Sequence, residues 1–225
     1  MKEYLSYGGG VGSTGLLCYL LPRIRTGEIE VVFCDHGGDY PETYDYVEYI
    51  QKELNIDITI LKIDIGGHGN LYEWFTNYKM VPIYRWRVCT IESKIKPYNK
   101  YVETPCISYQ SITWDERKRV RENKVSEIEN SYPMVESELT RDDAIKLIEK
   151  TGINVPMRSG CWFCPFQSKE QFRNLYNNHN DLFLKAIKLE ENACERRPSS
   201  RILPDGKPLS KLYEEFKFQS KLDDF

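Results

Sequence analysis

Two short stretches of this 225-residue chain concentrate residues able to do chemistry. The first is SYGGGVGST, residues 6–14, where Gly8, Gly9, Gly10 and Gly12 lead into Ser13, Thr14 and an apolar run. Glycine has no Cβ, so main-chain N–H groups there can close around an anion, and a helix starting at that point adds its partial positive charge. The expected ligand is a phosphate, with the hydroxyls of Ser13 and Thr14 as further donors. A Walker loop would need a lysine before the serine, where Gly12 stands, and the stretch is not a clean G-x-G-x-x-G fingerprint. The second is GCWFCPF, residues 160–166. Gly160 permits a tight turn, Pro165 stiffens the exit, and the thiolates of Cys161 and Cys164 can converge on one metal. No thioredoxin-type strand precedes the pair, so metal binding is favoured over a redox couple.

Other candidates are more scattered. Asp35 ends an apolar run and is followed by His36 and Gly37. A carboxylate there could hold ribose hydroxyls or magnesium, or simply cap a turn. Asp115 and Glu116 are adjacent, so on a strand only one could point into a site. Arg117, Lys118, Arg119 and Arg121 follow them; such a cluster suits phosphate or sulfate, or a solvated charged face. Arg85, Arg87, Lys94 and Lys96 surround Cys89 and are interleaved with Trp86. That mixture could hold a nucleotide tail or nucleic acid, or the basic side chains could cover a helix face.

These residues need elements to position them. Residues 2–7, 29–35, 57–64 and 103–113 predict strands. The spacing predicts helices over 13–21, stopped before Pro22, over 41–54, with proline in its first turn, and over 71–78. Residues 85–102 predict a loop and then a helix ended near Pro97. The later third predicts capped helices over 140–152 and 168–179, then helices over 180–194 and 209–219. Alternating strands and helices predict an α/β fold with a doubly wound, Rossmann-like parallel sheet, whose ligands sit at the carboxyl ends of the strands. The expected division is a nucleotide-binding α/β domain over 1–155 and, over 156–225, the C-x-x-C segment with a helical C-terminal extension.

Composition narrows the classes. The chain carries 31 basic and 34 acidic residues, so no global field argues for nucleic acid or a membrane. The longest early apolar run is LLCYLL, and a cytoplasmic location without a membrane partner is expected. Seven cysteines in such a chain favour metal or thiol chemistry over disulfides.

With these residues in view, SYGGGVGST resembles the pyrophosphate-binding (PP) loop of the adenine nucleotide alpha-hydrolase superfamily, which includes ATP pyrophosphatases and phosphoadenylyl-sulfate (PAPS) reductases. Gly8, Gly9, Gly10, Val11, Gly12 and Ser13 take the places of Ser-Gly-Gly-Lys-Asp-Ser; Val11 and Gly12 are departures, and a reductase-like subgroup has a similar Gly-Gly-Gly-Val-x-Ser-Thr loop. CDHGGDYPETYDYV (34–47), RVCTIESKIKP (87–97), ITWDERKR (112–119) and YPMVE (132–136) followed by RSGCWFCPF (158–166) resemble further segments of that subgroup in order. The resemblance spans roughly residues 4–190. It implies an adenine nucleotide, ATP above all, bound by Ser6, Gly8, Gly9, Gly10, Gly12, Ser13, Thr14, Asp35, His36 and Gly37, with magnesium. It implies catalytic roles for Ser13, Asp115, Glu116 and Arg119. It also implies Cys89 as third partner of Cys161 and Cys164, around a 4Fe–4S cluster, with zinc or free thiols as alternatives. Cys106 is a candidate fourth ligand. Cys18, Cys34 and Cys194 read as small hydrophobes.

The function implied is adenylation of an acceptor, releasing pyrophosphate, followed by sulfur transfer from a sulfur donor. The acceptor stays open between tRNA, DNA and a small metabolite, and a homodimer is a candidate assembly. Two alternatives stand beside it. One is a reductase of PAPS or its unphosphorylated relative APS, although the only late thiol, Cys194 in ACERRP, does not match the Glu-Cys-Gly-type tail of such enzymes. The other is a non-catalytic nucleotide-binding accessory subunit, which Val11 and Gly12 would suit.

Overall fold

The structure, a computed structural model, describes residues 1–223; residues 224 and 225 of the expected extension lie outside the described residues. Along the chain run β1 (Lys2–Tyr7), α1 (Val11–Arg25), β2 (Ile29–Asp35), α2 (Pro41–Leu54), β3 (Ile58–Lys62) and α3 (Leu71–Asn77). A helical stretch follows: α4 (Val88–Thr90), a π turn (Ile91–Ile95) and α5 (Lys96–Tyr101). Next come β4 (Cys106–Tyr109), a 3₁₀ turn (Trp114–Arg119), β5 (Ile128–Ser131), α6 (Pro133–Glu136) and α7 (Arg141–Lys150). The chain closes with α8 (Lys169–Asn178), α9 (Asn180–Arg196) and α10 (Leu209–Asp223).

The chain divides into two compact units. The first comprises residues 1–35, 39–62 and 94–159; the second comprises 36–38, 63–93 and 160–225. The first unit is the α/β body. Its five strands are all parallel, in the order β3-β2-β1-β4-β5. Central strands of such a sheet are covered on both faces, which is why IEVVFCD is nearly all apolar; Val31, Val32 and Phe33 are buried. Leu5, Leu16, Leu17, Val47, Ile50 and Ile148 join Val31 and Phe33 in one core. The order reverses at β1, whose neighbours are β2 and β4, so the carboxyl ends of β1 and β4 flank the crevice where doubly wound sheets hold ligands.

Three local expectations are corrected. Pro22 lies inside α1, which runs on to Arg25. Proline removes one intrahelical bond, but Leu20, Leu21 and Ile24 are all buried in the core, and their burial outweighs that loss. Around Pro97 the helix does not end: a π turn precedes it and α5 begins at Lys96, so proline sits in a first turn, where its missing N–H is no loss. The strand expected over 103–113 is only Cys106–Tyr109, and Asp115 and Glu116 lie on a 3₁₀ turn instead of a strand.

The second unit is helical and built around aromatic rings. Phe172, Phe183 and Phe216 are enclosed, with Tyr176 and Tyr213 packed edge-on among them. Buried Glu190 accepts the N–H groups of Ile202 and Leu209 at 2.8 and 2.9 Å, closing the connection into α10. Among the described residues, no helix is long and apolar enough to cross a membrane.

Candidate functional site

The glycine loop joins β1 to α1 at the point where the strand order reverses. Its N-cap is Gly10, which has no side chain with which to accept a first-turn amide, and the first turn carries no acidic residue. Three other helices carry such a cap, Asn70 accepting from Glu73, Thr140 from Asp143 and Ser168 from Gln171, whereas α2, α6 and α9 share with α1 the lack of one. The opening amides of any helix lack intrahelical acceptors. At α1 those of Val11, Gly12 and Ser13 meet no local carboxylate or hydroxyl cap, which leaves the helix end receptive to an anion.

The glycines differ in what they do. Gly9 has φ +67°, and a Cβ there would lie 2.8 Å from Thr43 Cγ2. A Cβ on Gly10 would lie 2.6 Å from Ser159 Oγ, and one on Gly12 would lie 3.1 Å from the Ser111 carbonyl. The protein's own packing therefore explains those three. Gly8 is different: the nearest atom to its Cβ would be Ser13 Oγ at 4.0 Å, and its φ is not positive. Room is left beside Gly8 that no protein atom fills.

Ser13 and Thr14 are committed elsewhere. The Ser13 hydroxyl accepts the Gly10 N–H at 3.1 Å and donates to the Gly10 carbonyl at 2.9 Å, so it shapes the loop from within. Thr14 is fully buried, with its hydroxyl 3.1 Å from that of Tyr7. Ser6 is half-buried on β1 and pairs in register with Val32. Asp35 ends β2 as expected. Burial, reinforced by the carboxylates of Asp39 and Asp35, pushes the Tyr44 phenol up. Asp39, itself buried, is a carboxylate that the sequence pattern did not single out.

The Asp-Glu pair is tied down locally. Asp115 accepts the Arg141 N–H at 2.6 Å, capping the start of α7. Glu116 forms an ion pair with Arg119, and Arg117 lies 4.5 Å over the Trp114 ring.

In the second unit the C-x-x-C stretch forms a tight knuckle, with the Cys164 N–H donating to the Cys161 carbonyl at 3.1 Å. Trp162 and Phe163 are buried against α3: Trp162 lies 5.2 Å from the Tyr72 ring and Phe163 lies 6.1 Å from Phe75. Gln167 donates to the carbonyls of Cys161 and Trp162 at 3.2 and 2.9 Å, clamping the turn from behind. The rings and the glutamine fix the knuckle, and both thiols stay half-exposed.

His36 and Gly37 belong to this unit. Gly37 has φ +68°, and a Cβ there would lie 2.7 Å from Asn70 Cβ. The His36 ring is fully buried; its Nδ1 accepts the Gly38 N–H at 3.2 Å, and its Nε2 lies 3.9 Å from Cys161 Sγ. A main-chain N–H can only donate, so in the neutral ring Nδ1 is the lone-pair nitrogen and Nε2 carries the proton toward sulfur. That partnership has no sequence signature.

Cys89 lies in the same unit, on α4, half-exposed, its carbonyl accepting from Ser93. The sulfurs of Cys89, Cys161 and Cys164 are not all within 4.8 Å of one another, the spacing that a single ion requires. A cluster of several irons places its ligands on separate atoms and needs no such contact. The remaining thiols differ in kind. Burial pushes Cys34 up to about 11 and raises Cys18 and Cys106 as well. Cys106 is wholly enclosed in β4.

No protein-family model matches the chain. It is 26% identical over 204 residues to an uncharacterized protein of Methanocaldococcus jannaschii, covering 81% of this chain and 46% of that one. It is 26% identical over 148 residues to an uncharacterized nin region protein of Escherichia phage lambda, covering 54% of this chain and 51% of that one. The chain thus spans about half the length of the curated relatives it matches. Among solved structures it resembles the PAPS reductase of Candida auris in a phosphate complex, with TM-score 0.50 and 14% identity, over 72% of this chain and 82% of that one. The α/β fold of the chain is therefore PAPS reductase-like.

Proposed function

We propose that the chain binds an adenine nucleotide through its phosphates at Gly8–Ser13 and adenylates an acceptor for sulfur transfer. One observation carries the binding step: the room left beside Gly8, at an N-terminus with no side-chain cap, where the sheet order reverses. The amides of Val11, Gly12 and Ser13 would face the phosphates, and Ser13 holds the loop in shape. In the reaction an acceptor oxygen attacks the α-phosphorus, the bond to the β-phosphate bridging oxygen breaks, and pyrophosphate leaves with that electron pair. Preorganised amides aimed at the developing charge supply the stabilisation. With glycine where the family has aspartate, Asp35 is the nearest sequence candidate for holding magnesium. The adenylated carbon is then open to a sulfur nucleophile, and AMP leaves.

Cys89, Cys161 and Cys164 suit a 4Fe–4S cluster better than a lone zinc ion: three half-exposed cysteines outside any disulfide share one unit without the close spacing of a single-ion site. Bound there, a cluster with three thiolate ligands would supply an iron open to sulfur. His36 would hold the Cys161 thiolate in place by hydrogen bonding.

The test is calorimetry with ATP on anaerobically prepared protein, paired with Gly8→Ala. A methyl at Gly8 would meet Ser13 Oγ only at an ordinary van der Waals distance of 4.0 Å, so the variant should unfold at the wild-type midpoint while ATP affinity falls by about tenfold or more. Equal affinity would remove the phosphate assignment. In turnover, AMP and pyrophosphate from ATP support adenylation, sulfite from PAPS would make the chain a reductase, and binding without products would make it an accessory subunit.

A further inference from the structure

The second unit carries a surface that the adenylation reading leaves unused. Six consecutive residues, Ile83–Val88, are exposed, and within them rings and guanidinium groups alternate as Tyr84-Arg85-Trp86-Arg87. Trp86 is 70% exposed and Tyr84 51%. The Tyr84 ring lies 4.4 Å from that of Phe166 at an interplanar angle of 32°, and Phe166 is itself 41% exposed. Arg87 lies 5.6 Å over the same Phe166 ring. Two segments distant in sequence thus build one platform of open aromatic faces.

Its charge is one-sided. No carboxylate occurs between residues 80 and 91 or between 160 and 169. Among the described residues neither Arg85 nor Arg87 forms an ion pair. A protein partner would have to bring carboxylates to both cations as they are desolvated. Exposed rings beside guanidinium groups that form no ion pair fit a strand whose bases are unstacked and whose phosphates repeat along it.

We propose that this surface binds single-stranded nucleic acid, with bases stacking on Trp86 and the Tyr84–Phe166 pair and phosphates meeting Arg85 and Arg87. Cys89 lies three residues beyond Trp86, and Cys164 two before Phe166, so the segments that carry the platform also carry the thiols. A base of that strand is then the sulfur acceptor, and only this last clause rests on the sulfur-transfer reading.

The experiment measures fluorescence anisotropy of labelled RNA and DNA single strands of about a dozen nucleotides, and of the matching duplexes, with the full chain. Single strands should bind, more tightly than duplexes and less tightly as salt rises. Trp86→Ala and Phe166→Ala should each weaken binding by about tenfold, the loss expected on removing one stacking ring. Arg85→Gln with Arg87→Gln should flatten the salt dependence. Gly8→Ala should keep oligonucleotide binding and lose ATP, which separates this inference from the nucleotide assignment. Absent single-strand binding, preference for duplex, or unchanged affinity in a folded Trp86→Ala protein would each overturn the proposal. So would self-association abolished by Trp86→Ala, which would make the platform a contact between copies. Strand binding without sulfur incorporation would overturn the acceptor assignment alone.

Discussion

Glycines in one loop can be present for opposite reasons, and only distances tell them apart. Gly9 is demanded by its left-handed backbone, Gly10 and Gly12 by Ser159 and Ser111, and Gly8 by nothing within the protein. The sequence marks all four alike. His36 shows the same limit: the resemblance implied a nucleotide contact for its loop, and nothing in the local sequence announced that its ring would face the Cys161 sulfur. That contact yields a prediction. His36→Asn keeps an acceptor at the δ position for the Gly38 N–H but removes the donor toward Cys161, whereas His36→Gln retains a donor at the ε position. Anaerobic titration with ferrous iron and sulfide, followed by cluster absorption, should show about tenfold weaker binding in the asparagine variant and substantial recovery in the glutamine variant. Equal affinity in wild type and His36→Asn would contradict the role, and complete loss of binding would make the histidine a ligand.

Helices were read well where their ends carry chemistry. Thr140 and Ser168 cap α7 and α8 with reciprocal partners Asp143 and Gln171, as the short-range pattern predicts. Pro22 and Pro97 misled because a proline's local preference is settled by what the helix buries. The fifth strand, IENS, escaped because it has only one apolar residue and gains its place by pairing with β4. At α7 a pH effect follows. The Thr140 hydroxyl, then Lys146, hold the Asp143 carboxyl at about 2 against an ordinary 3.8. A lowered folded-state value contributes stability above pH 3.8 that is lost as pH falls toward 2. Asp143→Asn should therefore lower the urea midpoint at neutral pH, with the gap to wild type closing across that window. A gap that persists below it would assign the effect to packing.

At the scale of the molecule, binding and stability are linked. A ligand taken up only by the folded chain, at a hundred times its dissociation constant, adds about 2.7 kcal/mol. At that concentration a tenfold weaker variant gains only about 1.4 kcal/mol, so ATP should raise the denaturation midpoint of wild type about twice as far as that of Gly8→Ala; equal shifts would place the nucleotide elsewhere. The second unit draws residues 36–38 and 63–93 to the C-terminal helices, a division that no linker composition announces. What the sequence determined by itself was local: the glycine turn, the alternation that dictates a parallel sheet, the helix caps and the paired cysteines, because each rests on neighbours within a few positions. The tertiary structure decided the room beside Gly8, the His36–Cys161 contact, the burial that carries α1 through Pro22 and the meeting of Tyr84 with Phe166. Each of these joins atoms remote along the chain or depends on the space left between them, and side-chain packing in three dimensions sets both.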